Sequence, residues 1–143
     1  KQQQWLVAAE LWRQQVAVMP EQASAWHNLA ICLRAQKEWL GSEQAIAKAL
    51  VLAPQSSKAL NEQAYIYRKQ GKFAAAEASY LQAVSTGKAD ANTYVNLGIL
   101  YDLYLRQPQD AIAQYKAYLG LEPDDAKVQQ WLRVLISRYG EGE

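Results

Sequence analysis

Two stretches of the sequence, AWHNLAICL at residues 25–33 and TYVNLGILY at residues 93–101, share one pattern. In each, an aromatic residue is followed two positions later by asparagine, and then by leucine and a small residue. Asn28 and Asn96 lie 68 positions apart, which is twice 34, and the residue midway between them is Glu62 in ALNEQAYIY. The middle segment keeps the small residue, Ala64, but has Leu60, Glu62 and Gln63 in place of the aromatic residue, asparagine and leucine, so the sequence indicates a period of 34 residues with a divergent middle copy.

The prolines repeat at nearly the same interval. Pro54 follows Pro20 by 34 residues and Pro123 follows Pro54 by 69, and each comes after an alanine-rich segment. Because proline cannot continue a helix and disfavours helical geometry in the residue before it, each segment is predicted to be a helix that ends there. Between the prolines, apolar residues recur at helical spacing, whereas strand alternation and Asn-Gly hairpins are absent. The chain is predicted to be all-helical.

Composition excludes several classes of function. A chain of 143 residues, half of them hydrophobic and a fifth charged, is typical of one soluble domain. The net charge is +1 and no run of Lys or Arg is present, which disfavours a nucleic-acid partner. No apolar stretch approaches the roughly 20 residues that cross a bilayer. The sequence begins without Met and without a signal peptide, so we expect a fragment of a longer protein.

The period and its contents resemble the tetratricopeptide repeat family, a helix–turn–helix unit with the signature W-x2-L-G-x2-Y, then A-x3-F, then P. The matching residues of the first full repeat are Trp26, Leu29, Ala30, Leu33, Ser42, Ile46 and Pro54. Those of the second are Leu60, Ala64, Tyr67, Gly71, Phe73, Ala76, Tyr80 and Ala83, with Lys88 in place of the proline. Those of the third are Tyr94, Leu97, Gly98, Tyr101, Ala111, Tyr115 and Pro123.

The resemblance implies an all-α, right-handed α-solenoid of antiparallel helix pairs over residues 1–143, with a terminal capping helix. Residues 5–20 are expected to form the second helix of a partial repeat. Full repeats are expected at 23–56, 57–90 and 91–125, and the terminal helix at 126–139 after an aspartate cap. The extra residue of the third repeat is assigned to its turn, YLRQPQD at 104–110.

Packing explains the residue types that recur. Small residues let neighbouring helices approach closely, and large aromatic residues fill the spaces between them. The small positions are Ala8, Ala30, Ser42, Ala64, Ala76, Gly98 and Ala111, and the large ones are Trp12, Trp26, Tyr80, Tyr94 and Tyr115. Most of the aromatic content is therefore predicted to be core.

No constellation of residues indicates catalysis or a metal site. His27 and Cys32 are five residues apart, about 140° around a helix, so they point in different directions, whereas a nucleophilic thiol needs its base within hydrogen-bond reach. One His and one Cys are too few for a usual zinc site. Asp124 and Asp125 are interpreted as a helix cap rather than a catalytic pair. We expect no enzyme activity and no cofactor.

The resemblance implies that the first helix of each repeat lines a concave groove and contacts the ligand. Carried over to this sequence, the groove residues are His27, Asn28, Ile31, Arg34, Lys58, Asn61, Glu62, Tyr65, Arg68, Asn92, Asn96, Ile99, Lys127 and Trp131. The Lys and Asn of the carboxylate clamp found in chaperone-binding members are replaced by His27, Ile31 and Glu62, so that clamp is not expected. An asparagine amide can both donate and accept, which suits a peptide backbone; alternatively, Asn28 and Asn96 simply tolerate a solvated groove.

These observations predict a non-catalytic protein-interaction scaffold that binds an extended peptide segment of a partner protein. Asn28 and Asn96 would contact the peptide backbone, and side chains would be selected around Tyr65. Two alternatives stay open: a regulatory or targeting region of a larger enzyme, and a structural module that self-associates. The sequence also loosely resembles bacterial envelope-associated repeat proteins, which leaves both cytoplasm and periplasm open.

Both ends of the chain are predicted to carry exposed apolar residues. The partial repeat lacks its own first helix, so apolar surface around Trp5, Ala8 and Trp12 is expected to be open and available for self-association. Trp131 maps to the groove wall and is expected to be partly exposed at its end, as an anchor for the ligand.

Overall fold

The computed structural model describes residues 1–140 as helices joined by short connections, with no strand among them. The chain divides into two compact units, Lys1–Thr86 and Gly87 onward. The helices of the first unit are α1 (Gln2–Val18), α2 (Ala23–Ala35), α3 (Trp39–Leu52), α4 (Ser57–Lys69) and α5 (Phe73–Ser85). Those of the second are α6 (Ala91–Ile99), a π-helix (Leu100–Tyr104), α7 (Pro108–Leu121) and α8 (Ala126–Tyr139). The predicted all-α helical-repeat solenoid is confirmed.

Helix ends follow the local chemistry of the sequence. α1, α3 and α7 each end two residues before a proline, as the prolines predict. The side chains of Ser56, Asp90 and Asp125 accept hydrogen bonds from backbone N–H groups at the starts of α4, α6 and α8. The predicted aspartate cap of the last helix is therefore present. Within each unit, consecutive helices pack against each other, and α2 also contacts α4. None of the helices within residues 1–140 is both long and apolar enough to span a membrane.

The connection inside each repeat has the same length and backbone shape. Three residues join the two helices, at 36–38, 70–72 and 105–107. The second residue of each connection has a positive φ: 63° at Lys37, 78° at Gly71 and 55° at Arg106. Only Gly71 adopts this left-handed conformation without a steric cost, because the other two carry a Cβ.

The extra residue of the third repeat lies in a helix, and its assignment to the turn was wrong. Because the third connection is no longer than the other two, the additional residue sits in the π-helix Leu100–Tyr104 that continues α6. The N–H of Leu105 donates to the carbonyl of Leu100 at 2.9 Å, five residues back, which is the spacing that defines a π turn.

The core confirms the small positions and only part of the aromatic ones. The small residues of the repeat pattern are buried, except Ala8, which is half-buried. Tyr80 and Tyr115 are fully buried, whereas Trp12 and Trp26 are half-buried and pack against the core, and Tyr94 is half-buried.

Candidate functional site

An ion pair joins the first helices of two successive repeats. Arg34 on α2 donates through Nε to the Glu62 carboxylate on α4, and Arg34 Nη2 lies 3.4 Å from Glu62 Oε1. The two side chains are 29% and 12% exposed, so the pair is largely shielded from water. Glu62, which interrupts the asparagine pattern, is thus a structural partner of Arg34. The two helices present one surface, which we call the α2–α4 surface.

Three cationic groups surround Tyr65 on this surface. The Arg34 and Arg68 Cζ atoms lie 5.0 Å and 5.2 Å from the ring centroid, and Lys69 Nζ lies 5.6 Å away. All three distances fall within the range of cation–π attraction. We call Arg34, Glu62, Tyr65, Arg68 and Lys69 the Tyr65 cluster. With three cations and one carboxylate, the cluster carries net positive charge.

The other predicted residues of α2 and α4 border the cluster. Burial lowers the pKa of His27, and the cations Lys58 and Arg34 lower it further against the opposing effect of Glu62. His27 is therefore a neutral imidazole at pH 7. Asn28 and Ile31 are half-buried and Lys58 is exposed, and the buried Oδ1 of Asn61 has no hydrogen-bond partner among the described residues.

The Tyr80 hydroxyl is a polar group that the sequence assigns only to the core. It is fully buried and has no hydrogen-bond partner within residues 1–140. Burial raises the pKa of Tyr80, and the charges of Arg68 and Glu62 also act on it, which places the hydroxyl near the Tyr65 cluster. The repeat pattern predicts that the ring of Tyr80 lies in the core, but it does not predict which groups surround the hydroxyl.

The equivalent tyrosine of the second unit has a partner. Tyr115 Oη donates to Asp102 Oδ2 at 3.0 Å, and its ring packs against Trp131, with centroids 5.8 Å apart. Trp131 is half-buried, and its role as a ligand anchor stays a prediction. The remaining predicted residues of this unit are exposed or half-buried, and their roles also stay predictions: Asn92, Asn96 and Ile99 on α6, and Lys127 on α8.

Removing the hydroxyl should affect the two tyrosines in opposite directions. Tyr80→Phe is expected to raise the free energy of unfolding by about 1 kcal/mol, because an unpaired buried hydroxyl is eliminated. Tyr115→Phe is expected to lower it by about 1.5–3 kcal/mol, because a hydrogen bond to a carboxylate is lost. Urea denaturation followed by circular dichroism measures both. A loss of stability in Tyr80→Phe equal to that in Tyr115→Phe would contradict the difference in bonding.

The exposed apolar surface of α1 has a different centre from the one predicted. Trp5 is 38% exposed and Trp12 half-buried, while Val7, Leu11 and Val18 are 52%, 60% and 78% exposed. The apolar face is thus present, but the aromatic residues contribute less of it than aliphatic ones. Self-association through this end stays a prediction.

Neither the cysteine thiol nor the possible metal ligands form a catalytic arrangement among the described residues. Cys32 is buried, and burial raises the pKa of its thiol, which disfavours the reactive thiolate. No three His, Cys, Asp or Glu residues are grouped as a metal site in the part of the chain that the structure describes.

Comparisons with known proteins agree with the helical repeats. The sequence profile of the family described as Tetratricopeptide repeat matches residues 1–57 and 41–93. None of the curated protein sequences matches this chain significantly.

Several solved structures share the fold at low sequence identity. MamA 41-end from Desulfovibrio magneticus RS-1 is 20% identical with a TM-score of 0.83, over 96% of this chain and 77% of that chain. YrrB, described as a TPR protein with an unusual peptide-binding site, is 20% identical with a TM-score of 0.82, over 93% and 68%. The first TPR of Spaghetti (RPAP3), bound to the HSP90 peptide SRMEEVD, is 21% identical with a TM-score of 0.75, over 81% and 91%.

Proposed function

This chain belongs to the tetratricopeptide repeat family, whose repeats are generally non-catalytic interaction modules. We propose that it is a protein-interaction scaffold that binds an extended peptide segment of a partner protein on the α2–α4 surface. The observation that carries the proposal is the Tyr65 cluster, where cations from two neighbouring helices converge on one half-buried ring. Peptide binding by the YrrB and RPAP3 structures is compatible with this use of the fold.

The charge of the cluster selects an acidic side chain in the peptide. Glu62 pairs with Arg34, so its carboxylate offsets one of the three cations of the cluster, and Arg68 and Lys69 are the other two. A peptide carboxylate beside these two groups would form charge-assisted hydrogen bonds, which are roughly twice as strong as neutral ones. The ring of Tyr65 would add apolar contact to the neighbouring peptide residue.

Asn28 supplies a contact that does not depend on the peptide side chains. Its amide lies on α2 and is half-buried. Because an amide donates and accepts at the same time, it can pair with both polar groups of a peptide unit. The α2–α4 surface would thus combine backbone recognition at Asn28 with charge selection at the Tyr65 cluster.

A selection from a random peptide library, followed by fluorescence anisotropy, tests the charge preference. Recovered peptides should be enriched in Asp and Glu, and the double variant Arg68→Ala/Lys69→Ala should weaken their binding by at least about tenfold. The control Lys116→Ala/Arg133→Ala removes the same charge from exposed positions of the second unit and should leave affinity unchanged. Neutral peptides, or an equal loss in the control, would overturn the proposal.

The backbone contact is tested separately. Asn28→Ala should weaken every recovered peptide by about 1–2 kcal/mol irrespective of its sequence, because it leaves polar groups of the bound peptide unpaired. The comparison is made on several peptides of different sequence. Unchanged affinity in a folded Asn28→Ala variant would show that the amide is only a tolerated polar residue.

A further inference from the structure

An open cleft lies between α1 and α3, with α2 forming its floor. Its volume is about 680 Å³, which falls within the range of ligand-binding pockets. The floor is apolar: Leu29, Leu33 and Ala45 are each no more than 5% exposed. Trp26 also lines the cleft, and its Nε1 donates to the Pro20 carbonyl at 2.7 Å, which fixes the orientation of the ring. We call this feature the α1–α3 cleft.

The cleft is separate from the α2–α4 surface. Trp26, Leu29 and Leu33 project from one side of α2, and Ile31 and Arg34 project about 140° away at the helical increment of 100° per residue. Ligands on the two sides of α2 would therefore not compete for the same side chains.

The length of the cleft fits a helix. Its lining extends along α3 from Gly41 to Val51, which corresponds to about 15 Å, or nearly three helical turns. An amphipathic helix that lies in such a groove contacts it through residues at i, i+3, i+4 and i+7. Val51 is 80% exposed at one end and extends the apolar contact beyond the floor.

The charged residues of the cleft are of one sign. Arg13 on α1 and Lys48 on α3 stand on its two walls, and no Asp or Glu is among the described residues that line it. The contact of Arg13 with Glu38 spans 3.9 Å between two half-exposed side chains, so it offsets little of the positive charge. An occupant with acidic residues along both edges would complement these walls.

From this arrangement we infer that the α1–α3 cleft binds an amphipathic helix of a partner protein, with apolar side chains on the floor and acidic side chains facing Arg13 and Lys48. The inference does not rest on peptide binding at the α2–α4 surface. It assigns a second binding surface to the first unit.

The test uses a fluorescein-labelled, side-chain-stapled helix of about 18 residues, with leucine along one face and glutamate beside it. A matched peptide carries lysine in place of each glutamate. The glutamate peptide should bind at least about tenfold more tightly to the full chain in fluorescence anisotropy. Amide and indole NMR signals of Trp26, Gly41 and Ala45 should shift on binding.

A charge reversal in one wall locates the site. Lys48→Glu, an exposed substitution that should not affect folding, is expected to weaken the glutamate peptide at least about tenfold and to strengthen the lysine peptide. Lys116→Glu and Arg68→Ala/Lys69→Ala should leave both affinities unchanged.

Four binding and NMR results would overturn the inference. These are equal affinity for the two peptides, no saturable binding of either up to about 1 mM, NMR shifts outside the cleft, and insensitivity to Lys48→Glu. A concentration-dependent dimer in light scattering that is lost in Lys48→Glu would also overturn it, because the occupant would then be a second copy of the chain.

Discussion

Gly98→Ala should lower the free energy of unfolding by about 2–3 kcal/mol. Gly98 is buried in α6, and a Cβ at this position would lie 2.6 Å from Tyr115 Cε1 and 2.7 Å from Cδ1. The ring of Tyr115 cannot move away, because it is only 1% exposed, bonded to Asp102 and packed against Trp131. The helices α6 and α7 would have to separate, which would weaken their packing.

Gly120→Ala is the matched control for this substitution. Gly120 also lies in a helix, α7, but nothing is within 4 Å of a Cβ added there. Alanine should therefore stabilise the helix by up to about 1 kcal/mol through its higher helix propensity. Urea denaturation gives the two free energies, and hydrogen exchange shows whether α6 and α7 are the segments affected. If the two substitutions changed stability in the same direction, close packing at Gly98 would not be the cause.

Glu62→Gln should destabilise the first unit by about 2 kcal/mol. The substitution keeps the shape of the side chain but leaves Arg34 without its carboxylate in a largely shielded position. Arg34 would then lack its counter-charge beside Arg68 and Lys69, which approach the same Tyr65 ring. The loss should be partly recovered when Arg34→Gln is added, because the uncompensated charge is removed.

A second ion pair of the first unit serves as the comparison. Lys72 Nζ contacts Glu43 Oε1 at 2.8 Å, but their side chains are 50% and 24% exposed. Glu43→Gln should therefore cost less than about 1 kcal/mol. A double-mutant cycle on each pair isolates its coupling energy. Additive effects in the Arg34 and Glu62 cycle would show that their contact contributes nothing to stability.

The sequence predicts the helices well because their ends have local causes. Proline ends α1, α3 and α7, and the side chain of Asp125 caps α8. The extra residue of the third repeat could not be located this way. An extra residue in the turn and an extra residue in a π-helix give the same spacing in the sequence. Which of the two forms depends on how α6 packs on α7.

The sequence predicts which residues of the candidate site lie on the first helix of each repeat, but it does not predict which of their side chains are in contact. Residue numbering places Arg34, Glu62 and Tyr65 on the first helices of successive repeats. Whether Arg34 reaches Glu62 depends on the separation of α2 and α4 and on side-chain rotamers, which a single sequence does not contain. The α1–α3 cleft could not be predicted from the sequence for the same reason, because its width depends on the distance between two helices. The pattern therefore predicts Trp26 only as a core residue, whereas it both packs against the core and lines the cleft.

The π-helix has a consequence for how the length of such a chain can change over evolution. Inserting one residue into an α-helix normally rotates everything after it by about 100° and turns the apolar face towards water. In Leu100–Tyr104 the widened turn contains the added residue, so Gly98 before it and Tyr115 after it still meet. A repeat can in this way gain or lose a single residue inside a helix without a compensating mutation elsewhere. Changes in repeat length are then not confined to loops, and the spacing of 69 between Pro54 and Pro123 contains one residue accommodated in this way.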